Sequence, residues 1–246
     1  MIVGFVGSGS MAAAMARGWA GEFESMLFSD SGSGRARSLA EELGGEAVSN
    51  AEIAARADFV LLAVKPNKLE EAAPDLAGAR EVVSVLAVTP LERLRTALPG
   101  AEKVLRVMPN VGVEVRQGVL CVAGSASEAA HAKLELLGRV VEIAEGDFDP
   151  ATAAMGCSPA YFALAVEAIA GASAEAGLDP VLARDLVVET VAGTAELLRH
   201  HDPSELRRAV ASPGGSTEAG LDALDREGAR EAFEAAVEAS LERMRG

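Results

Sequence analysis

Ile2-Val-Gly-Phe-Val-Gly7-Ser-Gly9-Ser-Met-Ala12 is the stretch that decides the fold. Ile2 to Val6 reads as a buried strand, and Met11 to Ala20 reads as a helix. The turn between them has the form G-x-G-x-x-A. Gly7 permits the tight turn, Gly9 lets the backbone come close to a pyrophosphate, and Ala12 lets the helix lie close on the sheet. The start of the helix points free N–H groups and a partial positive charge at the same spot. Glycines alone are weakly specific, but this motif stands at residue 7, between a strand and a helix. Gly7, Ser8, Gly9, Ser10 and Met11 are therefore expected to hold the phosphates of a dinucleotide.

Outward from this loop, short apolar runs alternate with helical stretches. Ser25–Ser29, Phe59–Val64, Val82–Leu86, Val104–Met108, Val119–Val122 and Val140–Ile143 read as further strands. Helices are expected over Arg35–Leu43, Lys68–Ala73 and Leu91–Leu98. Strands that are apolar throughout belong to a sheet covered on both faces, and their alternation with helices predicts a doubly wound parallel α/β sheet of the Rossmann type. Past Asp147 no convincing strand remains. Asp149-Pro150, Asp179-Pro180 and Asp202-Pro203 each give the signal of a capped helix start, and Ser212-Pro-Gly-Gly215 and Gly228 interrupt Ala- and Leu-rich stretches. The expected organisation is a dinucleotide-binding domain over 1–147 and an all-helical domain over 148–246.

Of the 246 residues half are hydrophobic but only 4% aromatic, so the core must be mostly Ala, Val and Leu. The formal net charge of -15 repels phosphate backbones and anionic lipid, which argues against nucleic acid and membrane surfaces as partners. A small anionic ligand in a local pocket remains allowed. Cys121 and Cys157 offer neither a disulfide framework nor metal spacing, and no metal is expected. Met1 runs into an apolar segment with no basic region before it, and no apolar run approaches the roughly 20 residues of a membrane span. A cytoplasmic location is the resulting expectation.

The second strand ends at Ser29-Asp30. An acidic residue there often accepts from the adenine ribose hydroxyls, whereas Ser31, Ser33, Arg35 and Arg37 suit a 2′-phosphate, so both NADH and NADPH stay open; Asp30 has a third reading as a loop residue capping the Arg35 helix. Ala63, Val64, Lys65 and Pro66 close the third strand at the carboxyl edge of the sheet, where ligands of open α/β sheets sit. Ser212-Pro-Gly-Gly-Ser216-Thr217 lies between two helices. The N–H groups of residues 214 to 217, with the Ser216 and Thr217 hydroxyls, form a cradle suited to a carboxylate, and the plainer reading is a loop with Ser216 as N-cap. His131, His200 and His201 sit in no motif, so a histidine acid is not expected.

These residues resemble the pyrroline-5-carboxylate reductase family over essentially the whole chain. Gly4-Phe-Val-Gly-Ser-Gly-Ser-Met-Ala12 is similar to its G-F-I-G-x-G-N-M-A, and Leu61-Leu-Ala-Val-Lys-Pro66 to its third-strand motif. Arg106-Val-Met-Pro-Asn110 matches R-x-M-P-N, Ser158-Pro-Ala-Tyr161 the end of S-G-S-G-P-A-Y, and Ala211-Ser-Pro-Gly-Gly-Ser-Thr217 resembles T-S-P-G-G-T-T. The resemblance implies reduction of 1-pyrroline-5-carboxylate to proline with NADPH or NADH, and a homodimer through the helical domain, assembled further into decamers. It implies that Ser216 takes the place of the threonine whose hydroxyl contacts the ring nitrogen, and that the backbone of Gly214, Gly215, Ser216 and Thr217 holds the substrate carboxylate. The departures are Ser10 for the Asn before Met11, Val88 for the Gly after the fourth strand, Val111-Gly112 for T-P, and Met155 and Cys157 in the S-G-S-G-P segment. They fall near the expected pocket. Two alternatives therefore accompany the leading reading: a reductase of another cyclic imine, and a nucleotide-binding paralogue without turnover. A β-hydroxy-acid dehydrogenase fits poorly, because no lysine follows Lys133.

Overall fold

The computed structural model describes residues 1–245, which divide into two compact units, one over 1–156 and one from Cys157 onward. The first unit is built on one eight-stranded sheet. In chain order its strands are β1 (Ile2–Val6), β2 (Ser25–Ser29), β3 (Glu46–Ala47), β4 (Phe59–Leu62), β5 (Glu81–Ser84), β6 (Lys103–Pro109), β7 (Gly118–Gly124) and β8 (Gly138–Glu142). Their spatial order is β3-β2-β1-β4-β5-β6-β7-β8. The order reverses at β1, so the crevice between the turns after β1 and β4 is the switch point where such sheets bind ligands.

Six strands are mutually parallel, whereas β7 runs antiparallel to β6 and β8 runs parallel to β7. The doubly wound parallel sheet expected from the sequence is present, with a single antiparallel step at β7. Only residues 110–117 separate β6 from β7, fewer than the dozen or so that a parallel crossover needs, and the chain turns back through a 3-10 turn, Val111–Val115. The sequence reading also missed β3, a two-residue exposed edge strand with no apolar run.

The helices of this unit are α1 (Ser10–Gly18), α2 (Arg35–Leu43), α3 (Asn50–Arg56), α4 (Leu69–Ala72), α5 (Leu91–Ala97), α6 (Glu128–Glu135) and α7 (Phe148–Ala151). They cover the sheet on both sides. Val3, Phe5, Phe28 and Leu61 point to a core shared with Met15 of α1, Leu39 of α2 and Leu134 of α6. Alternate residues such as Val6, Leu27, Val60 and Leu62 point to the other core, with Ile53 of α3, Leu69 of α4 and Leu94 of α5. This two-residue alternation between two apolar layers explains strands that read as uninterrupted hydrophobic runs. Trp19 is fully buried among Phe5, Phe23 and Phe59, and its indole N–H donates to the Lys133 carbonyl at 2.6 Å.

The second unit is helical: α8 (Ser158–Glu175), α9 (Pro180–Leu197), α10 (Pro203–Val210), α11 (Ser216–Arg226) and α12 (Ala229–Arg245). The Asp-Pro signals act as expected at two of three places. Asp179 accepts from the N–H groups of Val181 and Leu182, and Asp202 from those of Ser204 and Glu205. Asp149-Pro150 instead lies inside α7, which Phe148 opens. The Tyr161 hydroxyl on α8 lies 2.6 Å from Ser240 Oγ and donates to the Ala236 carbonyl at 3.2 Å, which ties α8 to α12.

The expectation of no apolar run near spanning length is also corrected. A 3-10 turn Glu145–Asp147, α7, a π-helical segment Thr152–Cys157 and α8 follow one another in a helical run, Glu145–Glu175, of 31 residues, with an apolar window of mean hydropathy 1.4. By length and composition it could cross a bilayer. Little of that window is buried within the chain; Phe162, Leu164 and Ile169 are exposed, as are Val181, Leu182 and Leu186 on α9.

Candidate active site

The glycine loop sits at the switch point with its backbone under tight control. Gly7 adopts φ +97°, and a Cβ on it would lie 2.6 Å from the Ala63 carbonyl oxygen and 2.8 Å from the Val64 nitrogen. Only glycine fits between the ends of β1 and β4 here. The Gly7 N–H donates to the Ser29 carbonyl at 3.2 Å, and the buried Ser8 hydroxyl donates to the same carbonyl at 2.9 Å. Ser8 is thereby spent on holding the turn to β2. Gly9 is the opposite case: it caps α1, no side chain closes that helix end, and a Cβ would meet nothing within 4 Å. Open space in front of an uncapped helix start is what an incoming phosphate requires.

A cavity of about 500 Å³ opens here. The strand β1 turn contributes Gly7, Ser8 and Gly9, and the β4 turn contributes Ala63, Val64 and Lys65. Asp30, Ser31, Ser33 and Arg35 form a third wall. Ser10 faces an adjoining cavity with Arg17 and Arg35. Met11 packs against the core, and Pro66 opens a 3-10 turn, Pro66–Lys68, whose carbonyl is held by Arg93. Asn50, Lys68 and Asp75 also line the cavity, and the sequence reading did not find them. Asn50 accepts the Ser29 hydroxyl at 2.6 Å and donates to Asp75 at 3.3 Å. The readable signal was the capping box of Ser49 and Glu52, which starts α3 and sets Asn50 at its first residue.

Asp30 is fully occupied within its own loop. One carboxylate oxygen accepts from the Gly32 and Ser33 N–H groups at 2.7 and 3.0 Å; the other accepts from the Ala36 N–H at 2.8 Å and the Ser33 hydroxyl at 3.0 Å. The Ala36 bond, followed by those from Gly32 and Ser33, holds its pKa below the ordinary carboxylate value. The stability this lends is present above the ordinary pKa of an aspartate and is lost as pH falls through the lowered one.

Beyond β5 the chain runs Val85-Leu-Ala-Val88-Thr-Pro90. Val88 has φ +49°, a conformation that costs L-residues about 1–2 kcal/mol. In the middle of β6, Arg106 is buried, pairs with Glu145 and stacks on Phe148 at 3.9 Å. Glu145 also accepts the Leu91 N–H at 2.9 Å, closing the start of α5. Asn110 accepts the Val119 N–H at 3.1 Å and donates to the Met155 carbonyl at 3.2 Å. Arg106 and Asn110 of the R-x-M-P-N motif are thus engaged within the first unit, although the buried Arg106 Nε has no hydrogen-bond partner among the described residues.

In the second unit the hydroxyl-glycine segment departs from the plainer reading. Gly215, not Ser216, is the N-cap of α11, so the Ser216 hydroxyl is not used as a cap. Gly214 takes φ +72°, its N–H donates to Glu218 at 2.7 Å, and the Gly215 N–H donates to the Ser212 carbonyl at 2.9 Å. The donors left for a carboxylate are thus concentrated at Ser216 and Thr217.

Residues 145–246 match the family described as pyrroline-5-carboxylate reductase dimerisation, and residues 2–88 match the family of coenzyme F420-dependent NADP oxidoreductases. A pyrroline-5-carboxylate reductase of Synechocystis is 37% identical over 205 residues, covering 79% of this chain and 76% of that protein. The chain belongs to the pyrroline-5-carboxylate reductase family. Among solved structures, the 1-pyrroline-5-carboxylate reductase of Streptococcus pyogenes superposes with a TM-score of 0.87 at 30% identity, over 99% of this chain and 98% of that one. The Plasmodium falciparum pyrroline carboxylate reductase, solved with NADP bound, gives 0.86 at 27% identity, over 99% and 97%. Each region of this pyrroline-5-carboxylate reductase family chain thus has its own match, the glycine loop within 2–88 and the Ser216 segment within 145–246.

Proposed function

We propose that the protein reduces 1-pyrroline-5-carboxylate to L-proline with NADPH. Family membership over nearly the whole chain carries this reading, and the glycine loop supports it. A dinucleotide fits the first unit: Gly7 closes the turn, Gly9 leaves the approach open, and the start of α1 meets the pyrophosphate. The bound dinucleotide supplies the hydride. The substrate is a cyclic imine whose protonated C=N bond already accepts hydride readily, so the protein has mainly to orient it and exclude competing reactions. Ser216 and Thr217 donate to the substrate carboxylate through their backbone, and the Ser216 hydroxyl meets the ring nitrogen. With the imine so held, a hydride from the dinucleotide would form the new C–H bond at the ring carbon, and the C=N π pair would pass to the already protonated nitrogen, which would become the amine of proline.

The choice of NADPH over NADH rests on Asp30. A carboxylate committed to four donors of its own loop is poorly placed to take ribose hydroxyls, whereas Ser31, Ser33 and Arg35 line the same wall. Arg35 offers charge-assisted bonds to a 2′-phosphate. With 1-pyrroline-5-carboxylate, absorbance is expected to show NADPH oxidised faster than NADH. The Arg35→Ala variant is expected to raise KM for NADPH about ten-fold and leave that for NADH nearly unchanged. Absence of turnover by a folded protein that binds dinucleotide would refute the assignment of the substrate.

The exposed apolar faces of α8 and α9 assemble the protein into homo-oligomers in this reading, which also accounts for an apolar helix left uncovered in the single chain. A dimer is the basic unit, and a decamer is its further assembly. The free thiols of Cys121 and Cys157 suit a reducing compartment, and a cytoplasmic location completes the proposal.

A further inference from the structure

Among the described residues, Val88 and Arg116 are the non-glycine residues with positive φ. For Arg116 the conformation is offset by its side chain, which donates to the carbonyls of Gly18 and Ala20 and pairs with Glu22. Val88 has no comparable compensation. It is β-branched, the kind of residue that tolerates this region least, and 49% of it is exposed. The strain is imposed from both sides. The Val85 N–H is held by the Leu62 carbonyl at 2.9 Å, Leu86 and Thr89 are buried, and the Thr89 hydroxyl donates to the Ala87 carbonyl at 2.9 Å.

The position of Val88 says what the strain is for. β4 and β5 are parallel neighbours, with Leu62 opposite Ser84, so the loop after β5 emerges at the carboxyl edge beside Ala63, Val64 and Lys65. The adenosine side of the crevice is the β2 side, where Asp30, Ser31 and Arg35 stand. A dinucleotide crossing at the start of α1 then has its other half on the β4–β5 side. There Val88 holds an apolar, half-exposed side chain out against its backbone preference. We infer that Val88 determines the seat of the nicotinamide ring, supplying an apolar contact that its strained backbone holds in place. This rests on the reading that the first unit binds NADP(H).

The test is calorimetric titration of the full chain and its Val88→Gly variant with two compounds, NADP⁺ and the adenosine 2′,5′-bisphosphate fragment that lacks the nicotinamide half. Glycine accepts the positive φ, so the variant is expected to unfold at a higher temperature while binding NADP⁺ about five-fold more weakly. The fragment is expected to bind both proteins equally. A Val88→Ala variant, with only part of the side chain removed, is expected to fall between. Unchanged or tighter NADP⁺ binding by the glycine variant overturns the inference, and so does equal weakening of both compounds. If the unaltered protein binds neither compound, the cofactor reading itself falls, and that result is distinct from the others.

Discussion

Replacing Gly7 with alanine is expected to abolish measurable dinucleotide binding and to destabilise the first unit by about 3 kcal/mol. Two effects add. An alanine must enter a positive-φ conformation, and its Cβ must displace the backbone of Ala63 and Val64, which approaches to 2.6–2.8 Å. Backbone has little freedom to yield, because Ala63 directly follows β4, which is paired with β1 and β5, and its N–H donates to the Val6 carbonyl at 2.8 Å. Any relaxation also shifts the start of α1, where the phosphates are to be held. Urea unfolding and calorimetry read the two effects separately. A variant that unfolds earlier yet binds NADPH as tightly as before would show that the ligand does not sit on this turn.

Ser216→Ala is expected to lower kcat about 10- to 100-fold with a smaller change in KM. The position favours a clean reading of the chemistry. Ser216 is the first residue of α11 and Gly215 is its cap, so alanine removes no capping bond and suits a helix. Loss of stability therefore cannot imitate loss of activity, and thermal unfolding of the variant should stay close to that of the parent. Ser216→Thr, which keeps the hydroxyl, is expected to retain most of the rate. Equal kcat for the alanine variant and the parent would remove Ser216 from the reaction and leave the substrate to the backbone donors alone.

Much of this architecture was legible in the residues because the signals were long or chemically narrow. Seven of the eight strands are apolar runs, and a glycine between a strand and a helix has few other uses. The features that escaped notice have weak local signals. β3 is two exposed residues, and α6 buries only Ala130 and Leu134, too thin a face to show a period. The reversal at β7 was readable from the eight-residue connection but was obscured by the apolar pattern, which does not encode direction. The site follows the same division. The glycine loop could be placed from the sequence, whereas the commitment of Asp30 to its own loop and the entry of Asn50 into the cavity depend on side-chain directions that no linear spacing fixes.

The placement of two aromatic residues gives this protein a built-in pair of optical labels. Its one tryptophan, Trp19, is buried in the first unit, and its one tyrosine, Tyr161, bridges α8 and α12 in the second. Indole emission therefore reports on the sheet unit alone, and the phenol absorbance on the helical unit alone. Whether the two melt as one cooperative body or in succession can be followed in an unlabelled sample, and the answer can be compared with and without dinucleotide.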